Sequence, residues 1–236
     1  AQKQGKAFNG TSLYYTWSDD GGRSFHPDKK IADSTCQCCR LQTAFDKDGL
    51  PVVIWRHIFH DNIRDHALVK FEDWSRPAPL VRLSRENWRI DACPHHGPGL
   101  SIGEDGRYHA VWFNNAPEFH GLFYAYSNDH GQHFSVPLRF GDYEKGAAHP
   151  HVLSQGEKVT VVWKEFDGKS TRILSMESPD GGVSWYDPKI VARTSGSSDN
   201  PFLLTDSEHR YLSWQTEKEG YRLLDLDQNA LAFKNP

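Results

Sequence analysis

Short runs in which nearly every position is apolar recur along the chain and stop at tryptophan: PVVIW at Trp55, RYHAVW at Trp112, KVTVVW at Trp163 and RYLSW at Trp214. Runs of this length, rich in Val, Ile and Tyr and bounded by turn-forming residues, predict buried β-strands. The tryptophans are separated by 57, 51 and 51 residues, a length that suits one four-stranded antiparallel sheet per repeat. A second set of runs, SLYYTW, GLFYAY and RILSME, leads into a repeated turn: Ser18-x-Asp20-x-Gly22-x-x-Phe25, Ser127-x-Asp129-x-Gly131-x-x-Phe134 and Ser178-x-Asp180-x-Gly182-x-x-Trp185. In such a turn the Asp carboxylate accepts from nearby backbone N–H groups, Gly supplies positive φ, and the aromatic plugs the sheet edge. With strands A to D assigned within each repeat, the tryptophan ends strand B and the Ser-x-Asp turn joins C to D. The second repeat lacks that turn. The expected organisation is the outer half of one sheet at residues 12–34, then four fuller sheets starting near Leu41, Gly99, Val152 and Phe202, in a single domain over residues 1–236.

Composition agrees with an all-β chain, since 13% of residues are aromatic against 37% hydrophobic overall, a balance suited to pleated, half-buried surfaces. The net charge is −4 with Lys and Arg spread along the chain, so no basic stripe is available to neutralise a phosphate backbone and nucleic acid is excluded as the expected partner. No apolar run is long enough to cross a bilayer, and the opening AQKQGKAFNG lacks the regions of a signal peptide.

The three S-x-D-x-G-x-x-[FW] turns resemble the Asp-box, or BNR repeat, of sialidases and related propellers. That resemblance implies a β-propeller of four-stranded antiparallel blades arranged around an axis. Such propellers have six blades, so about four and a half imply that N-terminal blades are lacking, or that a partner chain completes the ring. The chain is also similar to bacterial exported sialidase-like proteins that carry the same CxCCR and DACPHHGP segments, which implies a periplasmic or extracellular location.

Superposing the repeats on their tryptophans brings out a constellation. The offset that takes Trp55 to Trp112 takes Cys36 to Cys93, Cys38 to His95 and Cys39 to His96. The next repeat matches His96 to His149, and the last reaches Asn200. These lead-in segments, CQCCR, CPHHG, AAHPH and SSDNP, each precede an innermost strand, so a propeller gathers them around its axis on one face. The turns after strand B open on that face and supply a rim: Arg40, Arg56, His57, Arg64, Asp91, His151, Lys164 and Glu165, with His60, Asp61, Asp65, His66, Arg89, Asn114 and Gln215 nearby. The turn residues Asp20, Gly22, Asp129, Gly131, Asp180 and Gly182 fall on the opposite face in a structural role.

Thiolates and imidazoles together suit copper or zinc, and thiolate dominance favours Cu(I). The expected metal set is Cys36, Cys38, Cys39, Cys93, His95, His96 and His149. Two other readings of the same cysteines stay open: structural disulfides, with Cys36 or Cys38 bridging to Cys93, and a reactive thiol. Arg40, Arg56, Arg64 and Arg89 fit either a small anionic ligand or ion pairs with Asp61, Asp65 and Asp91. His26, His130, His133 and His209 are expected in solvated turns or outer strands. The family resemblance also implies a sialidase-type glycoside hydrolase, which requires three Arg around a carboxylate, a Tyr nucleophile activated by Glu, and an Asp acid/base. Arg56, Arg64 and Glu165 are available for it, but residues 1–236 contain no FRIP-like segment, whose place would be in the lacking N-terminal blades, and no Tyr is assigned beside Glu165. A disulfide-stabilised scaffold for binding a protein or ligand is the third function class. Soft-metal binding accounts best for the clustering.

Overall fold

The computed structural model describes residues 10–206 and 208–228. Its strands fall into five sheets, paired antiparallel throughout. The first pairs β1 (Thr11–Tyr15) with β2 (Lys29–Thr35). The second runs β3 (Gln42–Phe45), β4 (Pro51–Arg56), β5 (His66–Asp73), with β6 (Arg76–Pro77) and β7 (Val81–Arg82) sharing its outer edge. The third runs β8 (Gly99–Ile102), β9 (Tyr108–Asn115), β10 (His120–Ser127), β11 (Leu138–Phe140). The fourth runs β12 (Ala148–Gln155), β13 (Lys158–Phe166), β14 (Thr171–Ser178), β15 (Lys189–Thr194), and the fifth β16 (Phe202–Thr205), β17 (Arg210–Thr216), β18 (Gly220–Asp225). Among the described residues there is no α-helix, only short 3₁₀ turns at His60–Asn62 and Tyr143–Lys145. The expected strand span continued to residue 233, whose last part lies outside the described residues.

The tryptophan repeat has a packing cause. Trp55, Trp112, Trp163 and Trp214 sit in β4, β9, β13 and β17, each no more than 1% exposed. Each fills the seam between its own sheet and a neighbour. Trp112 packs with Val52, Ile54 and Leu68 of the second sheet, and Trp163 with Val111, Leu122 and Tyr124 of the third. Trp214 meets Val162 and Ile173, while Trp55 is covered by Leu13, Tyr15 and Ile31. A large flat side chain at one position per sheet spaces successive sheets at a common distance. The innermost strands then stand side by side: β8 touches β3 on one side and β12 on the other, and β12 touches β16.

The repeated turns share one hydrogen-bond pattern. Ser178 Oγ donates to Asp180 Oδ1 at 2.8 Å and accepts from Gly182 N at 2.8 Å, while Asp180 Oδ1 accepts from the N–H groups of Val183 and Ser184. The turns at Ser18 and Ser127 repeat the Ser-to-Asp and Gly-to-Ser bonds. Gly22, Gly131 and Gly182 take φ of +84°, +82° and +89°, a region closed to most side chains.

Two boundaries differ from the expected ones. The tryptophans do not end their strands, which run on through Arg56, Asn115, Phe166 and Thr216, so Arg56, Asn114, Lys164, Glu165 and Gln215 lie in strands rather than in the turns after them. β12 begins at Ala148 rather than near Val152, because Ala148 already pairs with Lys164 and the register then shifts before His151. Pro150 has no N–H to give the ladder, and His149 takes φ +52°. A bulge results and places this lead-in inside the sheet.

Candidate functional site

Three of the four cysteines are held by a tight turn at the end of β2. Cys36 N donates to Arg56 O at 3.0 Å, which ties the turn to β4, and Cys39 N donates back to Cys36 O at 3.2 Å. The second lead-in lies flat on the first at Gly97, where a Cβ would run into the Arg40 carbonyl. This contact brings Cys93 to Cys38, and the two form a disulfide with Cα atoms 6.0 Å apart. Cys36 and Cys39 remain free thiols. Cys36 Sγ is 3.4 Å from Cys39 Sγ and 3.8 Å from Cys38 Sγ, and Cys38 Sγ is 3.9 Å from Cys39 Sγ. Among the described residues, the ligand atoms of Cys36, Cys38 and Cys93 form a group lying entirely within 4.8 Å. The imidazoles are not part of it.

Two arginines set the electrostatics of the sulfurs. Arg64, 2% exposed, donates from Nη1 to Cys36 Sγ at 3.2 Å. The Cys36 thiol is drawn down to about 6 by the Cys39 thiol that hydrogen-bonds it and by the Arg64 and Arg56 charges, against the opposing effect of burial. Cys39, facing a Cys36 thiolate and half-buried, is pushed up. Arg56 is fully buried and spends its guanidinium on backbone carbonyls: Arg64 O at 2.6 Å, Phe113 O at 2.7 Å and His96 O at 3.2 Å. It also covers the Trp88 ring at 5.0 Å. Arg56 therefore clamps the second and third sheets and holds the Cys93–Gly97 segment in place.

The imidazoles assemble beside the sulfurs rather than among them. His96 stacks on Phe113 with ring centres 4.1 Å apart and on His149 at 4.4 Å. Burial, aided by His149, Arg56 and Lys164, lowers His96 to about 3; burial with Lys164 and Arg40 lowers His149 to about 4. Both are neutral at pH 7, and the buried Nδ1 of His96 has no partner. His95 is exposed, at φ +58°. His151 packs at a tilt against Phe202 with ring centres 4.0 Å apart, its Nδ1 accepts from Leu203 N at 3.3 Å, and its buried Nε2 has no partner.

All four lead-ins meet at a cleft of about 200 Å³, lined by Arg40, Leu41 and Gln42 from the first, Gly97 and Pro98 from the second, His149, Pro150 and His151 from the third, and Pro201 and Phe202 from the fourth. Among the described residues no carboxylate lines it. The sequence register predicts this convergence. It did not single out Gln42, Gly97 or Phe202, although the same alignment carries them.

Other rim residues are engaged elsewhere. Glu165 accepts from Trp163 Nε1 and Asp142 N, both at 2.9 Å, on the side of β13 away from Lys164. Arg89 pairs with Asp61 at 3.1 Å, Asp91 accepts from Asn62 at 3.3 Å, and Asp65 pairs with Arg82. His57 packs edge-on against Phe59, and burial lowers it to about 4. His26 and His133 pair with Asp19 and Asp129 in exposed turns. Glu86 had no place in the sequence reading, yet it accepts from Trp112 Nε1 at 3.1 Å and Asn114 Nδ2 at 3.0 Å, and burial pushes its carboxyl up.

In shape the chain is similar to a sialidase from the Hadza microbiota, Hz136, at TM-score 0.54 and 13% identity, over 78% of this chain and 43% of that one. It is likewise similar to an exo-1,5-α-L-arabinanase from a bovine ruminal metagenomic library, at TM-score 0.52 and 13% identity, over 92% of this chain and 86% of that one. The chain thus spans less than half the length of the sialidase. No protein-family model matches it. No curated protein does so significantly either. The architecture is a glycoside-hydrolase-like β-propeller, and at these identities the likeness concerns the fold alone.

Proposed function

We propose that this propeller binds a soft metal ion, copper or zinc, through the sulfurs at the lead-in end of its second and third blades. The observation that carries the reading is the gathering of Cys36, Cys38 and Cys93 ligand atoms within 4.8 Å, with Cys39 Sγ 3.4 Å from Cys36. A compact sulfur set with a thiolate favoured at neutral pH suits Cu(I) first and Zn(II) second. The Cys38–Cys93 disulfide withdraws two donors, so the metal-binding form is the reduced one. His96 and His149, neutral and adjacent, complete the surroundings. The reading includes export to the periplasm or beyond, where a disulfide persists.

Glycoside hydrolysis finds less support in the residues. It needs paired carboxylates or a Tyr–Glu nucleophile at the cleft, and the lining offers Arg40, His149 and His151 instead. A small anionic ligand in that cleft is the second reading, favoured by Arg40 and by the unpartnered His151 Nε2.

Titration of the reduced, chelator-washed protein with Cu(I) and Zn(II), against competing chromophoric chelators, tests the first reading. The expected result is about one metal per chain, with Cys36→Ser and Cys93→Ser each weakening it by at least about 100-fold, the upper end of what a lost supporting partner costs. His133→Ala should bind as the parent does. Equal affinities in all four proteins reject metal binding at this site.

A further inference from the structure

The geometry points to an intramolecular thiol–disulfide exchange in this cluster, in which Cys36 opens the Cys38–Cys93 bond and the disulfide moves onto the Cys36-x-x-Cys39 pair. Two free thiols and one disulfide share a single pocket of sulfurs, with 3.8 Å from Cys36 to Cys38 and 3.4 Å from Cys36 to Cys39. Arg64 donates to Cys36 Sγ at 3.2 Å and favours the thiolate, which is the attacking form. Cys36 is 1% exposed, so dissolved thiols and oxidants reach it poorly and its nearest electrophile is the neighbouring disulfide. The three sulfurs form a compact triangle rather than a line, so attack along the Cys38–Cys93 axis requires the Cys36 side chain to rotate.

The chemistry balances internally. The Cys36 thiolate attacks Cys38 Sγ; a Cys36–Cys38 bond forms, the Cys38–Cys93 bond breaks, and the electron pair leaves on Cys93 Sγ. Cys39 then gives up its proton, which the Cys93 thiolate takes, and attacks Cys36 Sγ. A Cys36–Cys39 bond forms and Cys38 leaves as the thiolate. One disulfide, one thiolate and one thiol stand on each side, so no outside oxidant or reductant is consumed.

The two forms differ mechanically. The Cys38–Cys93 bond joins lead-ins 55 residues apart on neighbouring sheets, whereas a Cys36–Cys39 bond closes within one turn. Exchange therefore removes the covalent link between the second and third blades without net reduction, and frees Cys38 and Cys93. It requires no metal and stands independently of the metal reading.

Trypsin makes the two forms separable, because Cys36, Cys38 and Cys39 share peptide 31–40 and Cys93 lies in peptide 90–107. The metal-free oxidised protein, in chelator, is incubated at neutral pH, quenched in acid, denatured, alkylated with N-ethylmaleimide, digested and weighed by mass spectrometry. The expected result is a peptide 90–107 freed from its cross-link and alkylated at Cys93, rising to a plateau together with a peptide 31–40 holding one internal disulfide and one alkylated cysteine. The rate should not change on dilution, and Cys36→Ala should keep Cys93 cross-linked throughout. The inference is overturned if Cys93 in the parent stays cross-linked at all times, if its release slows in proportion to dilution, or if Cys36→Ala releases it as fast. The parent time course decides even where the variant folds poorly. Metal affinity, read on fully reduced protein, is a separate measurement with a separate failure.

Discussion

Arg56 marks how far residue chemistry departs from a simple reading of charge. A basic residue beside a cluster of thiols and imidazoles suggests an anion site, yet its donors reach the carbonyls of Arg64, His96 and Phe113 and none faces solvent. Bonds from a charged donor to buried acceptors are worth more than neutral ones, and removing the donor strands all three carbonyls. Arg56→Ala should cost about 3–5 kcal/mol, as for other broken buried charge networks, read as a lower midpoint in urea unfolding. A loss below about 1 kcal/mol would show that the clamp carries no weight.

His109 gives a second residue-scale outcome. It is 1% exposed, its Nδ1 shares a hydrogen bond with Tyr124 Oη at 2.7 Å, and burial lowers it to about 4. A free imidazole titrates near 6.5. As pH falls below that value the unfolded chain binds a proton that the folded chain refuses. The stabilising contribution is thus complete above about pH 6.5, declines through acid, and levels off near pH 4, a loss of about 3 kcal/mol. His66, fully buried and also lowered, adds in the same direction. Urea midpoints at pH 7 and pH 5 should differ less in His109→Gln than in the parent; identical slopes would remove His109 from the account.

At the scale of elements, the two ends of each strand carry different duties. At the turn end, Arg107 Nη1 donates to Gly181 O at 2.7 Å, joining the β8–β9 hairpin of one sheet to the Ser-x-Asp turn of the next. At the lead-in end, Gly97 lets the second segment lie against Arg40. Asp180→Ala should lower the melting temperature while leaving metal affinity unchanged. Gly97→Ala should weaken metal binding as well as stability, because it forces Cys93 away from Cys38. Melting curves and metal titrations on both variants separate the two ends; the reverse pattern would invert the assignment.

Much of this was legible in the chain. Buried runs ending in tryptophan located β4, β9, β13 and β17, since one residue type fills every seam, and the offset between Trp55 and Trp112 aligned the cysteine and histidine segments. What was not legible depended on directions. Whether Cys36 or Cys38 pairs with Cys93 turns on a backbone turn that spacing does not encode. Glu165 follows Lys164 directly, and strand alternation sends it to the other side of the sheet. The Ala148 start of β12 came from the bulge at His149 and Pro150, which register alone does not announce.

For the whole molecule, radial stacking explains why residues far apart in sequence become neighbours at one end of the sheets. Cys36 and Cys93 meet because β3 and β8 stand side by side, and His149 joins His96 because β12 stands next. The fold is shared with propellers that cleave glycosidic bonds, while among the described residues no carboxylate lines the cleft and the neighbouring sulfurs come from two successive blades. The cluster, not the architecture, distinguishes this chain's chemistry from that of the propellers sharing its fold. X-ray absorption on the reduced protein loaded with one equivalent of Cu(I), and separately of Zn(II), shows whether the sulfurs hold the metal. A first shell dominated by sulfur at about 2.2–2.3 Å is predicted, and its sulfur number should fall in Cys93→Ser. A shell of only nitrogen and oxygen near about 2.0 Å, unchanged by that substitution, would contradict it.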